Sequence, residues 1–468
     1  MSCDGRAPER KEPDESVRAF LDYFLCPQEF AQFQLVGKPS TAEGFFSFGS
    51  TLCYGKTAAD RDPVTVQLSA AATSRSQIPL FFSPTEVVEN FRRERYLTTV
   101  NTERWLRNLY YFVRPILPLA VRKQLQRGIF RWRNRTFPCW PVDCSVEQIF
   151  ESLMRLVIQS SNAEVPFIWF WPDGKNCAAM ITHDVEEEDG ADYCDRLMDL
   201  DDSFGIKAAF QLVPEGRYGG VEALVARIRL RGFEANIHDL DHDGRLYDHV
   251  TQFQQRALRI NEYARKYGMK GFRAGAMHRN QDWFKMLDFQ YEMSVPTVSH
   301  LEPQPGGCCT VTPYFVGDVL ELPLTTVQDH GLFYVLNERS IDLWKQQIEM
   351  ISAHNGLISF IIHPDYILRS EERELYCDLL RYLTGLKESR EIWFTVPNEI
   401  NCWWRERSQM QLVREQDGWR IDGPGSERAR MAYASVVDGK LSYRIVHEHS
   451  PCPARAISER ETPSQAHI

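Results

Sequence analysis

From residue 146 onward, apolar runs of strand length alternate with segments of helical periodicity, and this alternation constrains the fold more than any other feature of the sequence. The predicted strands are 177–182, 207–213, 233–237, 271–274, 292–295, 318–322, 357–362 and 391–395. The predicted helices are 191–203, 220–231, 249–267, 280–288, 340–354, 371–386 and 398–407. Strands that are apolar along their whole length, many followed by a helix, are typical of a parallel sheet covered by helices. Seven or eight such units predict an α/β fold with a (β/α) barrel over residues 146–408.

The sequence on either side of the barrel divides by composition. We predict a disordered stretch at 1–15, a mixed α+β region of unknown function at 16–100, a basic amphipathic helical segment and linker at 101–145, a small β appendage at 409–447 and a disordered tail at 448–468. The N-terminal region contains GFFSFGSTLCYG, which is typical of short strands and turns. In the appendage, VDGK lies between two β-forming runs and predicts a hairpin.

The basic segment 104–135 is rich in arginine and aromatic residues and contains no acid. Pro115 and Pro118 divide it into two helical pieces. Such an element either lies on an anionic membrane surface or packs as a helical hairpin on the neighbouring domain with its arginines toward solvent. The sequence leaves both interpretations open.

The net charge and the number and spacing of the cysteines limit which class of protein this chain can belong to. A formal net charge of −10 argues against wholesale nucleic-acid binding. The twelve cysteines include no CxxC pair, so we expect reduced and mostly buried thiols. The N-terminus MSCDGRAPERKEPDES is charged, and no apolar window of about 18 residues occurs. We therefore predict a cytoplasmic protein, peripheral at the inner face of the membrane if the basic segment binds lipid.

The predicted strands of the barrel run into acids and imidazoles. The first leads into HDVE, the third into IHDLDHDGR, the fourth into FRAG, and the run LISFII into His363. In a parallel β/α barrel the functional side chains cluster where the strands end. We therefore expect these four segments to meet in one site.

The spacing within these segments favours a metal centre. His238 and His242 are four residues apart, which on a helical turn places both imidazoles on one face. Two imidazoles and one carboxylate form a usual catalytic zinc set with a position left for water. Asp184 and Glu186 are two residues apart in an extended strand end, so both point to the same side, and one can bind the metal while the other stays free as a base. Arg273 would hold that free carboxylate, and His363 would act as a general acid.

Four motifs in this order, ITHDVE, HDLDH, FRAG and LISFIIHPD, resemble those of the NodB-type polysaccharide deacetylases, carbohydrate esterase family 4, over about 175–400. The resemblance implies a distorted (β/α)7-8 barrel and a divalent metal, usually zinc, held by one acid and two histidines. Residue by residue it implies Asp184 as the catalytic base, Arg273 as the residue that holds it, and His363 as the general acid. It implies metal binding by His238 and His242.

The third metal ligand depends on how the first motif is aligned. The common family motif has two adjacent aspartates after a Thr-Phe pair, whereas this chain has His183-Asp184-Val185-Glu186. An Asp-x-Glu alignment makes Glu186 the ligand, and this is the interpretation we prefer. The other alignment makes Asp184 the ligand and leaves His183 in place of the base. For the acid that tunes His363, Asp329 and Asp365 are both candidates.

The resemblance implies metal-assisted removal of an N- or O-linked acetyl group from a sugar, a hydrolase acting on amide bonds other than peptide bonds. Two alternatives stay open, a hydrolase of small linear amides and a non-catalytic protein that binds a glycan as a scaffold. Because no export signal is predicted, we expect an acetylated glycan precursor of a biosynthetic pathway, such as exopolysaccharide synthesis, as the substrate. Aromatic residues in loop-like stretches could stack on sugar rings or belong to the core: Trp283, Tyr314, Phe315 and Tyr334.

Overall fold

The structure is a computed structural model, and it describes residues 15–58, 77–97, 137–389, 391–416 and 418–446. The predicted basic segment 104–135, the first fourteen residues and the tail from 447 lie outside the described residues. The membrane-surface interpretation of the basic segment therefore stays a prediction. In the part of the chain that is described, no helix combines the length and the apolar composition that crossing a bilayer requires.

The N-terminal region is a small α+β unit. Its described elements are helix α1 (Arg18–Phe24), strands β1 (Phe33–Leu35), β2 (Gly44–Phe48), β3 (Thr51–Gly55) and β4 (Ile78–Leu80), and helix α2 (Pro84–Arg92). Helix α2 begins with the signals that its sequence carries, because Ser83 Oγ accepts a hydrogen bond from the Glu86 amide and Pro84 occupies the first turn. Helix α3 (Ser145–Ser161) and strand β5 (Val165–Ile168) connect this unit to the main sheet.

Within the described residues the main sheet has nine strands, of which eight are parallel. They are β6 (Cys177–Val185), β7 (Ala209–Leu212), β8 (Glu234–His238), β9 (Gly271–Arg273), β10 (Tyr291–Glu292), β11 (Tyr314–Val316), β12 (Val319–Glu321), β13 (Leu357–Ile361) and β14 (Ile392–Phe394). Their order is β11-β12-β10-β9-β8-β7-β6-β13, and β11 alone among them runs antiparallel to its neighbour. Strand β6 is fully buried and pairs with β13 along one edge, while β14 and β7 pair with the first and last parts of β6.

Helices cover this sheet, as the alternating pattern predicts. They are α4 (Glu188–Ser203), α5 (Val221–Leu230), α6 (Val250–Tyr267), α7 (Asp342–Ser352), α8 (Ser370–Glu388) and α9 (Pro397–Ser408). Each buries an apolar stripe; in α7 the buried apolar side chains are Trp344, Ile348 and Ile351, at helical spacing. The predicted α/β class is thus realised as a curled half-barrel in which the carboxyl ends of the parallel strands all face one edge.

Within the described residues, no β-ladder joins the two ends of the curled sheet; side chains and a main-chain hydrogen bond from the Leu357 amide to the Val311 carbonyl connect them. Thr325 Oγ1 donates to the Leu357 carbonyl at 2.7 Å and accepts from the Ser359 amide at 3.0 Å. Thr326 Oγ1 donates to the Ser359 carbonyl at 2.7 Å. The residues after β12 therefore bridge to β13, and we call this contact the threonine seam.

We expect Thr325→Val to lower the free energy of unfolding by about 1–3 kcal/mol, because it leaves a buried amide and a buried carbonyl of β13 unpaired at almost unchanged volume. Urea unfolding followed by circular dichroism measures this. Thr384→Val is the matched control, since Thr384 Oγ1 donates within α8 to Leu380, whose carbonyl stays in the helical ladder. Equal effects of the two substitutions would show that the threonine seam does not stabilise the fold.

The predicted C-terminal β appendage forms two hairpins over its described residues. They are β15 (Gln411–Glu415) with β16 (Gly418–Asp422), and β17 (Met431–Val437) with β18 (Lys440–Ile445), the second of which turns at VDGK. Strand β17 also pairs with β5, so this sheet takes in a strand from the region 146–408 that was predicted as the barrel. The N-terminal region joins the same core, because Phe24 packs against Phe167 and Tyr443.

Among the predicted elements, a helix and a strand differ from the structure for identifiable reasons. The helix predicted at 280–288 is a 3-10 turn, Gln281–Met286, because Asn261 of α6 hydrogen-bonds the Met286 carbonyl and the Asp288 amide and so ends the turn. The strand predicted at 292–295 pairs only at Tyr291–Glu292, because the Glu292 carboxylate takes the Ser294 amide from the ladder.

Most of the described cysteines are buried free thiols.

Candidate active site

The carboxyl ends of β6, β8, β9 and β13 bring the predicted site residues together. Asp184 lies in β6 and Glu186 directly after it; His238 ends β8, Arg273 ends β9 and His363 follows β13. His242 comes from the loop after β8. All six predicted residues are near one another, and every one is buried or half-buried.

Glu186, His238 and His242 form the tightest group. The distance from Glu186 Oε1 to Nε2 is 3.0 Å for His242 and 3.7 Å for His238. Among the described residues, they are the one set of three acid, thiol or imidazole side chains whose potential ligand atoms all lie within 4.8 Å.

The donor chemistry of this group fits a divalent cation. The Nε2 atoms of His238 and His242 are buried without a hydrogen-bond partner among the described residues, although both face Glu186. Leaving two buried ring nitrogens unpaired is costly unless an ion satisfies them. Burial on its own would raise the pKa of Glu186, but the imidazoles of His242 and His238 hold that pKa well below its usual value, which keeps the carboxylate ionised. One carboxylate and two imidazoles suit zinc.

The two histidines do not lie on a helical turn, so that part of the sequence argument is wrong. Strand β8 ends at His238, and the following residues form a loop in which Asp239 and His242 have φ of 57° and 55°. The left-handed conformation at these two positions turns the chain back on itself and brings the rings to a centroid distance of 4.8 Å. Non-glycine residues adopt it at a cost that the surrounding structure must offset, and such residues concentrate at functional sites.

A hydrogen bond to the main chain orients His238, and further main-chain hydrogen bonds hold Asp239, the residue after it. Its Nδ1 lies 3.2 Å from the Arg273 carbonyl, so Nδ1 carries the proton and Nε2 presents its lone pair to the site. Asp239 fixes the start of the loop, because its Oδ1 accepts from the Leu240 amide and its Oδ2 from the Gly275 amide.

Asp184 is held by a fully buried arginine. Arg273 Nη1 donates to Asp184 Oδ1 at 2.7 Å and to Thr182 Oγ1 at 2.6 Å, and its Nε donates to the Met293 carbonyl at 3.0 Å. Burial would raise the pKa of Asp184, but Arg273 together with the imidazoles of His238 and His363 lowers it. The other oxygen, Oδ2, lies 3.8 Å from His238 Nε2 and remains available on the side of the site.

His363 is paired with Asp329. His363 Nδ1 lies 2.7 Å from Asp329 Oδ1, and the His363 amide donates to Oδ2 at 2.6 Å. Burial on its own would lower the pKa of His363, but the Asp329 carboxylate, with Glu186 at 3.4 Å from Nε2, raises it well above its usual value. Of the two sequence candidates, Asp329 is the one that binds the imidazole; Asp365 lies against Gly190 of α4.

His183 points away from the site. Its Nε2 lies 3.0 Å from Asp201 Oδ2 and its Nδ1 3.1 Å from the Ile362 carbonyl, and Tyr376 completes the network through Asp201. If His183 were the catalytic base, its ring would have to face the imidazoles of His238 and His242. The geometry therefore favours the arrangement with Glu186 beside the histidines and Asp184 on Arg273.

The four aromatic residues singled out in the sequence lie in different places. Trp283 stacks on Tyr247, Tyr314 is buried with its hydroxyl on the Arg92 carbonyl, and Phe315 packs under Arg405. Tyr334 lies nearer the site, because it packs edge-on against Tyr366, whose ring lies 4.7 Å from that of His363. Sequence reasoning missed Tyr366, although its position three residues after His363 in HPDY was a signal.

No protein-family model matches the chain, and no curated protein matches it in sequence. Among solved structures, it is similar to a Mycobacterium smegmatis protein assigned as a polysaccharide deacetylase, with a TM-score of 0.40, 18% identity, and coverage of 51% of this chain and 93% of that one. It is also similar to the CE4 domain of a xylanase from the hindgut metagenome of Trinervitermes trinervoides (TM-score 0.32, 13% identity, 48% and 89% coverage).

The peptidoglycan deacetylase PdaC from Bacillus subtilis matches with a TM-score of 0.33 and 11% identity, covering 50% of this chain and 95% of that one. A mutant of BA3943, a CE4 family pseudoenzyme, is also similar, with a TM-score of 0.31 and 16% identity over 49% of this chain and 68% of that one. At these TM-scores the likeness carries no argument about activity. Any assignment of function has to rest on the side chains of the site.

Proposed function

We propose that this chain is a metal-dependent hydrolase that removes an acetyl group from the nitrogen or oxygen of a sugar. The observation that carries the proposal is the arrangement of three units around one point. They are a carboxylate with two imidazoles whose inward nitrogens are unpaired among the described residues, a second carboxylate fixed by a buried arginine, and a histidine paired with an aspartate.

Glu186, His238 and His242 would hold the cation. A divalent ion bound there supplies a Lewis acid that polarises an acyl carbonyl and makes water acidic. The protein contributes the geometry, because His238 is oriented by the Arg273 carbonyl and His242 by the left-handed turn of its loop. Zinc is the ion that this donor set favours, and the proposal extends to other first-row metals.

Asp184 would act as the general base. Its lowered pKa keeps it ionised at neutral pH, and Arg273 fixes Oδ1 so that Oδ2 faces the site. From that position Oδ2 would accept a proton from a water that attacks the acetyl carbonyl. Thr182 and the Met293 carbonyl hold the guanidinium itself, so the base has little freedom to swing away.

His363 would act as the general acid. Its raised pKa keeps Nε2 protonated at neutral pH, and Nε2 faces the site because Asp329 takes Nδ1. When the tetrahedral intermediate collapses, Nε2 would give its proton to the departing amine or alcohol, and acetate leaves.

An acetylated sugar is the substrate class that the site environment favours. Tyr366 packs on His363, and the half-buried Tyr334 extends the aromatic surface outward from it. Sugar rings present apolar faces that stack on such surfaces. The motif resemblance to NodB-type deacetylases supports the same class.

The test is acetate release from N-acetylglucosamine oligomers and from a chromogenic acetyl ester, together with metal analysis of the purified protein. The proposal predicts about one equivalent of metal per chain, loss of activity with a chelator, and recovery on adding Zn²⁺. Metal uptake with hydrolysis of small linear amides only would favour the amidase alternative. A protein that takes up no metal and binds glycan without turnover would be the scaffold.

Asp329→Asn is expected to move the alkaline limit of kcat to lower pH. His363 must be protonated to act as the acid, so activity falls as the pH rises through its pKa; removing the Asp329 charge lowers that pKa. We expect a shift of about one pH unit or more in the alkaline limb, measured as kcat against pH. Asp365→Asn is the matched control, and an alkaline limb that moves equally in both variants would contradict the pairing of Asp329 with His363.

A further inference from the structure

The N-terminal region, which has no assigned role, inserts a carboxylate into a loop of the barrel. Glu94 follows helix α2 in a left-handed conformation with φ of 56°, and its side chain is 9% exposed. It forms a two-pronged ion pair with the fully buried Arg279, in which Nε donates to Oε2 at 2.9 Å and Nη2 donates to Oε1. Buried charges of this kind are costly unless they are paired, so the contact is specific.

Arg279 in turn holds the loop that follows β9. Its Nη1 donates to the Met277 carbonyl at 3.0 Å and its Nη2 to Ser299 Oγ at 2.8 Å. Both Ala276 and Met277 have φ of 54°, so this loop is in a conformation that non-glycine residues rarely adopt. Glu94 Oε1 also accepts from the Gly307 amide at 2.6 Å, which ties a second barrel loop to the same carboxylate.

The loop held by Arg279 lies against the imidazole of His242. A Cβ added at Gly275 would lie 2.9 Å from His242 Cδ2 and 3.2 Å from its Nε2, so the glycine backbone is in close contact with the imidazole. The Gly275 amide also donates to Asp239 Oδ2 at 3.2 Å, and Asp239 begins the turn that carries His242. A continuous series of contacts thus runs from Glu94 through Arg279 and the 275–277 backbone to the His242 ring.

We infer that Glu94 is a positioning residue for the metal centre, so that the N-terminal region completes the site of the barrel. The inference rests on the proposed function, because it assigns Glu94 an effect on the ligand His242. The neutral amide introduced by Glu94→Gln would keep the size of the side chain but could not match the guanidinium fork or its charge. The 275–277 loop would then relax, and His242 would lose the contact that holds its ring in place.

The experiment compares Zn²⁺ affinity of the full chain in the wild type, Glu94→Gln and the control Glu89→Gln, by competition with a chromogenic chelator. Glu89 lies five residues earlier, within α2, and pairs with Arg93 at 3.5 Å on the half-exposed side of the helix. We expect Glu94→Gln to weaken Zn²⁺ binding by about 10-fold or more, the usual effect of removing a residue that orients a ligand, and Glu89→Gln to leave it unchanged. The Co²⁺-loaded proteins should show a changed visible spectrum for Glu94→Gln alone.

The single substitution leaves Arg279 buried without its partner, so it could unfold the chain. The double variant Glu94→Gln/Arg279→Gln removes both charges and serves as the second measurement, with folding checked by circular dichroism. If the folded variants that carry Glu94→Gln keep wild-type Zn²⁺ affinity and an unchanged Co²⁺ spectrum, the inference is overturned while the proposed function stays intact. A wild-type protein that binds no metal would overturn both.

Discussion

Asp184→Asn is expected to lower kcat for deacetylation by about 10²–10⁴-fold, the usual contribution of a general base. The side-chain amide that this substitution introduces can still accept a hydrogen bond from Arg273, so the local fold should persist, but it cannot take a proton from water at neutral pH. KM should change little, since the substrate is not bound through this oxygen in the proposed arrangement. Steady-state kinetics on an N-acetylglucosamine oligomer measure both constants.

The metal content of the same variant separates the two roles that Asp184 could have. As a base it leaves the cation in place, so Asp184→Asn should keep about one equivalent of zinc per chain. Asp189→Asn, on the exposed start of α4, is the matched control for loss of a carboxylate near the site and should keep wild-type kcat. If Asp184→Asn instead lost the metal, Asp184 would be the ligand and the alignment that assigns this role to Glu186 would be wrong.

Removing a residue from the imidazole–carboxylate group should abolish metal binding and activity together. We expect His242→Ala and Glu186→Gln each to weaken Zn²⁺ binding by at least about 100-fold, because two donors remain where three converge. The distances from Glu186 Oε1 to the Nε2 atoms of His242 and His238, 3.0 and 3.7 Å, make the three side chains one unit. Zinc stoichiometry after gel filtration and acetate release are the two measurements.

The control for this pair is Asp243→Asn, which changes the residue next to His242 without touching the group. Asp243 pairs with Arg256, away from the imidazole nitrogens. Its substitution should preserve zinc content and leave kcat within about twofold, in line with a surface change. If both His242→Ala and Glu186→Gln retained zinc, the proposal that Glu186, His238 and His242 bind the metal would be wrong.

The repeated strand–helix pattern was sufficient to predict the sheet and its helices, because continuous apolar runs such as Cys177–Ile181 report burial on both faces. The same logic placed Asp184, His238, Arg273 and His363 at one edge. The sequence could not show how β12 and β13 meet, since hydroxyl-to-backbone contacts across a gap leave no periodic signal. Nor could it show that β17 pairs with β5, a contact between segments far apart in the chain.

The histidine spacing was informative for a reason other than the one the sequence suggests. A four-residue interval is typical of a helix face, but His238 and His242 converge through left-handed residues in a loop. Backbone conformation of this kind is not readable from Asp or His alone, because both are tolerated in many turns. The contribution of Glu94 was hidden for a related reason, since nothing local marks a carboxylate that pairs with an arginine of another region.

The threonine seam affects how easily the half-barrel can widen. A ring of strands closed by continuous main-chain ladders resists changes in its diameter, whereas in the described residues this ring is split and is fastened by the threonine hydroxyls and by a hydrogen bond from the Leu357 amide to the Val311 carbonyl. Asp329 comes after β12 on one side of the split and His363 after β13 on the other, so a small opening of the ring would lengthen the contact between them while the ladder between β13 and β6 stays intact. The Asp329 charge that raises the pKa of His363 thus reaches it across the split, so that pairing depends on how firmly the split is fastened.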